Sequence, residues 1–502
     1  MLDICSSLGN VEIFLIGLAT VFYFVLRSSD KKNLPPGPKG LPIIGAINEL
    51  KSAHVSQDFP RLRKQYGDVF TLRIGPRVNI VINGHKALKD LIIKEGESLS
   101  ERPHNAVFDL VTKGHGIGGA NGELWKEQRT FALKTLRDFG FGKRSLENQI
   151  MEEVSAFLDE MGKENGAPFD VRRLISVSVS NIICSILFGE RFEYGDKRFV
   201  SLLDLLNIIA TGGAISGIIP NSMIWLRHLP GDWTGLKKVM AALKQIEEFT
   251  KEEIERHVKT FDENKIRDYV DAFIAAQKRQ GKSNGSFYTD LQLQKTILNF
   301  FGAGSETTAT TVRWAILYLI IHQDVQEKMN EEIKRVVGDA TPSLSHKMYL
   351  PYCEAVITEV QRIGNIAPNG VPHGAKNDVH WNGYVIPKGA LVILNLTSVN
   401  MDPETFPEPD KFKPERFLDA DGKFCGKNKV IPFSLGRRAC LGESLARMEL
   451  FFFIVSIVHR FILRPEKDGD IPKPECILGF TRSPKPFRFR AIERKGWKRA
   501  ML

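Results

Sequence analysis

The stretch KTILNFFGAGSETTATTVRWAILYLIIH (Lys295 to His322) is the longest helical pattern in the chain and is apolar nearly all round. A helix without a polar face has to be buried, so the rest of the chain must build a large body around it. The material is there: 502 residues, 43% of them hydrophobic and 25% charged, an ordinary globular share that argues against wholesale disorder. From about Ala87 to Arg335 apolar residues recur at three and four spacing, which predicts helices. Strand-like alternation is confined to three places. TLRIGPRVNIVING (Thr71 to Gly84) reads as paired strands around a Gly-Pro turn, and short strands return in HWNGYVIPKGALVILNL (His380 to Leu396) and near the C-terminus. No internal repeat is present. The expected fold class is mainly α with small β-sheets (α+β).

Ahead of this body, Ile4 to Leu26 is apolar except for Glu12 and a few small polar residues. As a helix it would rise about 34 Å, roughly the thickness of a bilayer's hydrocarbon core. No positively charged stretch precedes it and no small-residue cleavage site follows, which argues against a removed signal peptide. Arg27, Lys31 and Lys32 come next, predicting an anchor with the body on the cytosolic side. Leu34-Pro35-Pro36-Gly37-Pro38-Lys39-Gly40-Leu41-Pro42 is then a stiff connector rather than an element. The chain divides into a membrane anchor (1–27), a Pro/Gly-rich connector (28–45) and a body (46–502). Its net charge of +10 favours an acidic partner or an anionic membrane surface. No dense Lys/Arg tract interleaved with aromatics supports nucleic-acid binding. Six scattered cysteines without a CxxC pair argue against zinc, and a chain this long does not need disulfides, so a reduced body is expected.

One cysteine stands in an unusual neighbourhood: Pro432-Phe433-Ser434-Leu435-Gly436-Arg437-Arg438-Ala439-Cys440-Leu441-Gly442. A thiolate is a soft anionic ligand that iron accepts, and it must be kept deprotonated. Arg437 and Arg438 lie close by, flanking glycines let backbone N–H groups approach the sulfur, and a helical run starting at Glu443 puts Cys440 near a helix N-terminus. Read alone, the segment fits equally a buried structural cysteine in a glycine turn. In the long apolar helix, Ala303-Gly304-Ser305-Glu306-Thr307-Thr308 sets an acid and hydroxyls where they are costly unless used. A Thr bonding back to a carbonyl can open the helix there. Glu359 and Arg362 lie three apart on one helix face, and the four-residue spacing of Trp125 and Arg129 puts them on another.

Together these segments resemble the cytochrome P-450 family. The cysteine segment matches the haem-binding signature F-x-x-G-x-R-x-C-x-G at every fixed position, and the resemblance runs from the proline-rich connector to the last strands. It is nearest to the microsomal, drug- and steroid-metabolising (family 2-like) branch. The resemblance implies a haem-thiolate monooxygenase with the cytochrome P-450 fold, haem b as cofactor and Cys440 as axial ligand of the iron. Thr307 would steady iron-bound oxygen and Glu306 would relay protons. Phe433, Gly442 and Ala303 would lie against the haem, with Arg102, Trp125, Arg129, His373 and Arg438 at its propionates. Glu359, Arg362 and, in Phe412-Lys413-Pro414-Glu415-Arg416-Phe417, Arg416 would interlock as a structural triad.

The implied reaction inserts one oxygen atom of O2 into a lipophilic small molecule, by hydroxylation or epoxidation. Thiolate ligation favours O–O cleavage, while the protein positions substrate and excludes water. No GxGxxG follows a strand, so electrons are expected from outside, from NADPH through the flavin-containing P-450 reductase, with cytochrome b5 as a helper. Lys126, Arg137, Lys143, Arg144, Lys427, Lys429 and Arg437 are candidates for the docking face. The family's layout suggests Val107, Phe108, Ile117, Phe300, Phe301, Val371 and Phe480, beside Ala303 and Thr307, as the substrate pocket. Ala214 to Gly231 is expected to touch the bilayer. The implied location is the endoplasmic reticulum membrane. Two alternatives are weaker: a haem-thiolate isomerase or dehydratase would not need the Ala303–Thr307 motif, and a haem sensor would not need the acid–alcohol pair.

Overall fold

The computed structural model describes residues 33–497 apart from 42, 43, 53, 105, 106, 141–143, 213–216 and 281–286, together with positions 9, 12, 15, 17 and 20. Apart from those five positions, the anchor expected over 1–27 therefore lies outside the described residues. Among the described residues no helix is long and apolar enough to cross a membrane.

The helices that position the site are, in chain order, α1 (Gly122–Asp138), α2 (Arg172–Phe188), α3 (Lys197–Thr211) and α4 (Leu236–Thr260). They are followed by α5 (Tyr269–Gln280), α6 (Asp290–Ile321), α7 (Pro351–Gly364) and α8 (Glu443–Arg460). Thr289 opens α6: its hydroxyl accepts the Gln292 N–H at 3.1 Å and satisfies one of the orphan donors of the first turn. The 32 residues of α6 span about 48 Å at 1.5 Å per residue. Its C-terminal half is buried on all sides, as a helix without a polar face must be. α2 approaches it most extensively, and the approach is close because position 304 carries no side chain: a Cβ on Gly304 would stand 2.5 Å from Ile183 Cδ1.

The sheets are small. Strands β1 (Val69–Ile74) and β2 (Arg77–Ile82) form an antiparallel hairpin, with Ile74 facing Arg77 across the Gly75-Pro76 turn. β3 (His373–Gly374) is followed by a second hairpin, β4 (Val379–Trp381) with β5 (Tyr384–Ile386). β6 (Leu391–Leu394) runs parallel to β2 and antiparallel to β3, giving the order β1-β2-β6-β3. β7 (Phe461–Pro465) pairs with β10 (Phe489–Glu493), and β8 (Cys476–Leu478) with β9 (Arg482–Pro484). The mainly helical fold with small sheets is as expected. The connector has no regular structure from Asn33 to Gly40 and is pinned to β1, where Thr71 donates its hydroxyl to Pro35 O at 2.7 Å and its N–H to Pro36 O at 2.8 Å.

Two buried polar ties brace this body. Glu359 and Arg362, both 0% exposed, form a bidentate pair at 2.6 and 2.8 Å, and Arg416 reaches the same carboxylate at 3.2 Å. Lys413 N–H adds a bond at 2.8 Å, and Arg362 also donates to Asn400 O at 3.0 Å. The second tie joins α6 to α8: Thr308 Oγ1 donates at 2.9 Å to Glu449 Oε2, and Glu449 Oε1 has no hydrogen-bond partner among the described residues. Burial pushes the Glu449 carboxyl up to about 8, against which the Thr308 bond works only in part.

Removing one member of a buried pair strands the other, so Glu359→Ala is expected to cost about 3–5 kcal/mol in chemical denaturation; a loss below about 1 kcal/mol would mean the pair does not brace the fold. The Glu449 tie has a pH signature. Its folded value, about 8, lies above the ordinary 4.5. Its contribution is therefore complete below the lower value and is lost as pH rises towards the upper one, by a few kcal/mol at roughly 1.4 per pH unit. Glu449→Gln should flatten the fall of the melting temperature over that window, and a slope equal to that of the parent would sink the assignment.

Candidate active site

The loop before α8 is folded by its own backbone: Ser434 N–H donates to Ile431 O at 3.1 Å, Ala439 N–H to Gly436 O at 3.1 Å, and Cys440 N–H to Phe433 O at 2.9 Å. Gly436 has φ 77°, and a Cβ there would stand 2.6 Å from Ile92 O, so both the turn and its close approach require glycine. Gly442 caps α8, which puts Cys440 just off the positive end of the helix. Cys440 is exposed to solvent, yet burial pushes its thiol above the ordinary value. That combination describes a group on the floor of a hollow. The Gly442 N–H hydrogen-bonds the sulfur and lowers its pKa, Glu443 raises it, and the Arg129 guanidinium lowers it. A bound metal cation would reverse the balance, since a coordinating thiol is deprotonated outright.

On α6, Ala303 is exposed in the middle of an otherwise packed helix. Thr307 Oγ1 donates to Ala303 O at 2.7 Å and Thr311 Oγ1 to Thr307 O at 2.8 Å, so the hydroxyls bond back along the helix. Glu306 Oε1 accepts from the Thr310 hydroxyl at 2.9 Å, and burial raises its carboxyl above the ordinary value. Thr307 and Phe433 line one cavity of about 30 Å³ together with Thr308, Thr311 and Ala446. The α6 motif and the cysteine loop thus share one space.

Three guanidinium groups gather beside that loop. Arg102 donates to Gly118 O at 2.9 Å, Val371 O at 3.0 Å and Pro372 O at 2.8 Å. Arg438 donates to Ser100 O at 2.8 Å, Ala120 O at 2.7 Å and Asn121 Oδ1 at 3.1 Å. Arg129 donates to Ala439 O at 2.8 Å. None of the three is hydrogen-bonded to a carboxylate among the described residues. Burial, then mutual repulsion, pushes Arg102 down to about 9 and Arg438 down to about 8. Trp125 lies against them, with Arg438 4.0 Å from its ring centroid, and its buried Nε1–H has no acceptor among the described residues. Buried cations and an orphaned donor are costly unless an anion completes them. The donor set fits the two acid groups of a haem, and the hollow above Cys440 fits its iron.

His373 is placed at this cluster, but its Nδ1 lies 2.7 Å from Leu99 O, an acceptor, so Nδ1 carries the proton. Burial and the neighbouring arginines push the ring down to about 3 and favour its neutral form. Phe301 stands apart from the other pocket candidates. Two residues round the helix from Ala303, it is fully buried and its ring packs with Phe199 and Phe249 at 6.3 and 6.4 Å, in the core. Phe300 is half-buried against Tyr269 at 5.1 Å, Val107, Phe108 and Ile117 are buried, and Val371 and Phe480 are half-buried, the latter donating its N–H to Ala210 O at 2.7 Å. Of the docking cations, Lys126, Arg137, Lys427, Lys429 and Arg437 are exposed, while Lys143 and the Arg144 side chain lie outside the described residues. Sequence reasoning missed Glu449 and Thr310, and gave Thr308 no role of its own. The signal for Glu449 was present, a lone acid in the apolar run MELFFFIV.

A family model described as Cytochrome P450 matches residues 35–491. The chain is 38% identical over 498 residues to chicken (Gallus gallus) cytochrome P450 2H2, covering 95% of this chain and 99% of that protein. It is 38% identical over 463 residues to rabbit (Oryctolagus cuniculus) cytochrome P450 2C1, covering 91% and 94%, and 36% identical over 494 residues to rabbit cytochrome P450 2E1, covering 97% and 99%. With the cysteine hollow, the anion-lacking arginines and the back-bonded threonine helix in one fold, the chain belongs to the cytochrome P450 family and is a haem-binding monooxygenase.

Proposed function

We propose that this chain, held in the endoplasmic reticulum membrane by residues 1–27 and oriented by the connector 28–45, uses its cytosolic body (46–502) to oxygenate lipophilic small molecules. Hydroxylation or epoxidation of xenobiotic, steroid or fatty-acid-like compounds is the expected outcome. Electrons come from NADPH through the flavin-containing P-450 reductase, with cytochrome b5 as an accessory donor. The observation that carries this reading is the set of buried cations and the orphaned Trp125 Nε1 beside Cys440, which lacks only a dianionic, metal-bearing ligand.

Cys440 would hold the iron, with the Gly442 N–H hydrogen-bonded to its sulfur, and Phe433 and Ala303 would lie against the haem. Arg102, Arg129, Arg438 and Trp125 would take its acid groups, with His373, bonded through Nδ1 to Leu99 O, beside them. Thiolate-ligated haem supplies the oxygen-splitting chemistry when bound. The chain's own part is to order protons and exclude water. Thr307 keeps its hydroxyl proton on Ala303 O, from where it can turn into the cavity, and Glu306, raised by burial, retains a proton nearer neutrality than an exposed acid would. Val107, Phe108, Ile117, Phe300, Val371 and Phe480 supply the apolar walls. Within the stretch 214–231, exposed Trp225 and Leu229 support membrane contact. Exposed Lys126, Arg137, Lys427, Lys429 and Arg437 present a basic face to an acidic reductase.

Cys440→Ser should remove the red-shifted Soret band of the ferrous, carbon monoxide-bound protein, and its persistence would overturn the ligand assignment. In a system reconstituted with reductase, Thr307→Ala should lower product formed per NADPH by roughly tenfold or more, with peroxide released instead; unchanged coupling would count against the proton role. Absence of any NADPH-dependent oxygenation across steroid, fatty-acid and drug-like panels would refute the substrate class.

A further inference from the structure

Ile117 stands between two glycines whose peptide groups are gripped by α6. Gly116 N–H donates to Gln292 Oε1 at 3.0 Å, Gly118 N–H to Asn299 Oδ1 at 2.8 Å, and Lys295 Nζ donates to Val111 O at 2.9 Å. Gln292, Lys295 and Asn299 follow one another at three and four spacing, so they form one stripe along the helix. The seam admits no side chain: Gly116 has φ 73°, and a Cβ on it would stand 2.3 Å from Asn299 Oδ1 and 2.9 Å from Lys295 O. From the other side Arg102 takes Gly118 O at 2.9 Å and Arg438 takes Ile117 O at 3.3 Å.

Lys295 is 2% exposed, and its ammonium also pairs with Glu247 on α4 at 2.5 Å. Gln294 adds a bond from α6 to Glu247 O at 2.9 Å. A single buried cation therefore ties three parts of the fold: the short helix Val107–Thr112, α6 and α4. Desolvating such a pair is costly, and an apolar side chain of similar length would fill the space at lower cost. What the polar tie adds is one defined backbone position for residues 111–118.

We propose that Lys295, supported by Gln292 and Asn299, is a positioning residue that locks segment 107–118 as a fixed roof over the substrate pocket and so sets the size of molecule admitted. This rests on the reading above that Val107, Phe108 and Ile117 face the substrate. The roof cannot swing outward without breaking three hydrogen bonds and uncovering the Lys295–Glu247 pair. A chain built this way selects compact ligands over bulky ones.

The test uses the full-length holoprotein and two variants, Lys295→Met and Glu247→Gln, the second preserving shape while removing the charge. Hydrogen exchange of 107–118 reads the clamp. Spectral titration of the ferric protein with imidazole, 4-phenylimidazole and a biphenylmethyl-imidazole reads selectivity. Exchange in 107–118 should rise roughly tenfold or more in both variants. The ratio of affinities, bulky to compact, should move towards the bulky ligand by about tenfold, with the carbon monoxide spectrum unchanged. Unchanged exchange overturns the clamp. Faster exchange with an unchanged affinity ratio overturns the role in selectivity and leaves the monooxygenase reading standing. Loss of the thiolate band from the parent protein itself would sink that reading and this proposal together. Should Lys295→Met fail to fold, Glu247→Gln carries both readouts.

Discussion

The fold depends on burying one long helix that has no polar face. α6 must be packed on every side, and α2, α4, α7 and α8 supply the packing. Much of what is polar along α6 is consequently satisfied inside the protein. Thr307 and Thr311 bond back to helix carbonyls, Thr310 serves Glu306, Thr308 reaches Glu449, and Lys295 pairs with Glu247. Past its first turn, α6 is exposed only at Ala303.

Two kinds of buried charge coexist in this body. The Glu359, Arg362 and Arg416 network is self-contained, since both arginines share the Glu359 carboxylate. The Arg102, Arg129 and Arg438 cluster is not: it holds like charges together, and repulsion adds to burial in depressing Arg102 and Arg438. Desolvation physics is the same in both. The difference is that the first set closes on itself, whereas the second is completed by a ligand of opposite sign. Buried charge left unmatched within the chain is thus a better pointer to a binding site than buried charge as such.

Much of this was legible in one dimension. Cys440 with its glycines, the acid and alcohol of Glu306 and Thr307, and the helix-face pairs Glu359–Arg362 and Trp125–Arg129 are local patterns, and local patterns survive in sequence. The hairpin around Gly75-Pro76 and the buried character of α6 follow from alternation and periodicity. Phe301 packs with Phe199 and Phe249 on a face about 100° round the helix from Phe300, a difference that a list of apolar positions does not show. His373 was read for its residue type, whereas its tautomer depends on Leu99, 274 positions away in the chain.

The sequence by itself determined the residue chemistry: a thiol at a helix start, hydroxyls in an apolar helix, and enough hydrophobic residues to bury that helix. Those properties rest on residue type and on separations of a few positions, which backbone geometry converts directly into shared faces. Tertiary structure alone decided which arginines stand together without an acid, that Glu449 answers Thr308 across 141 positions, and that Lys295 grips Val111 across 184. Pairings at that range come from how whole helices pack, and no local pattern encodes them.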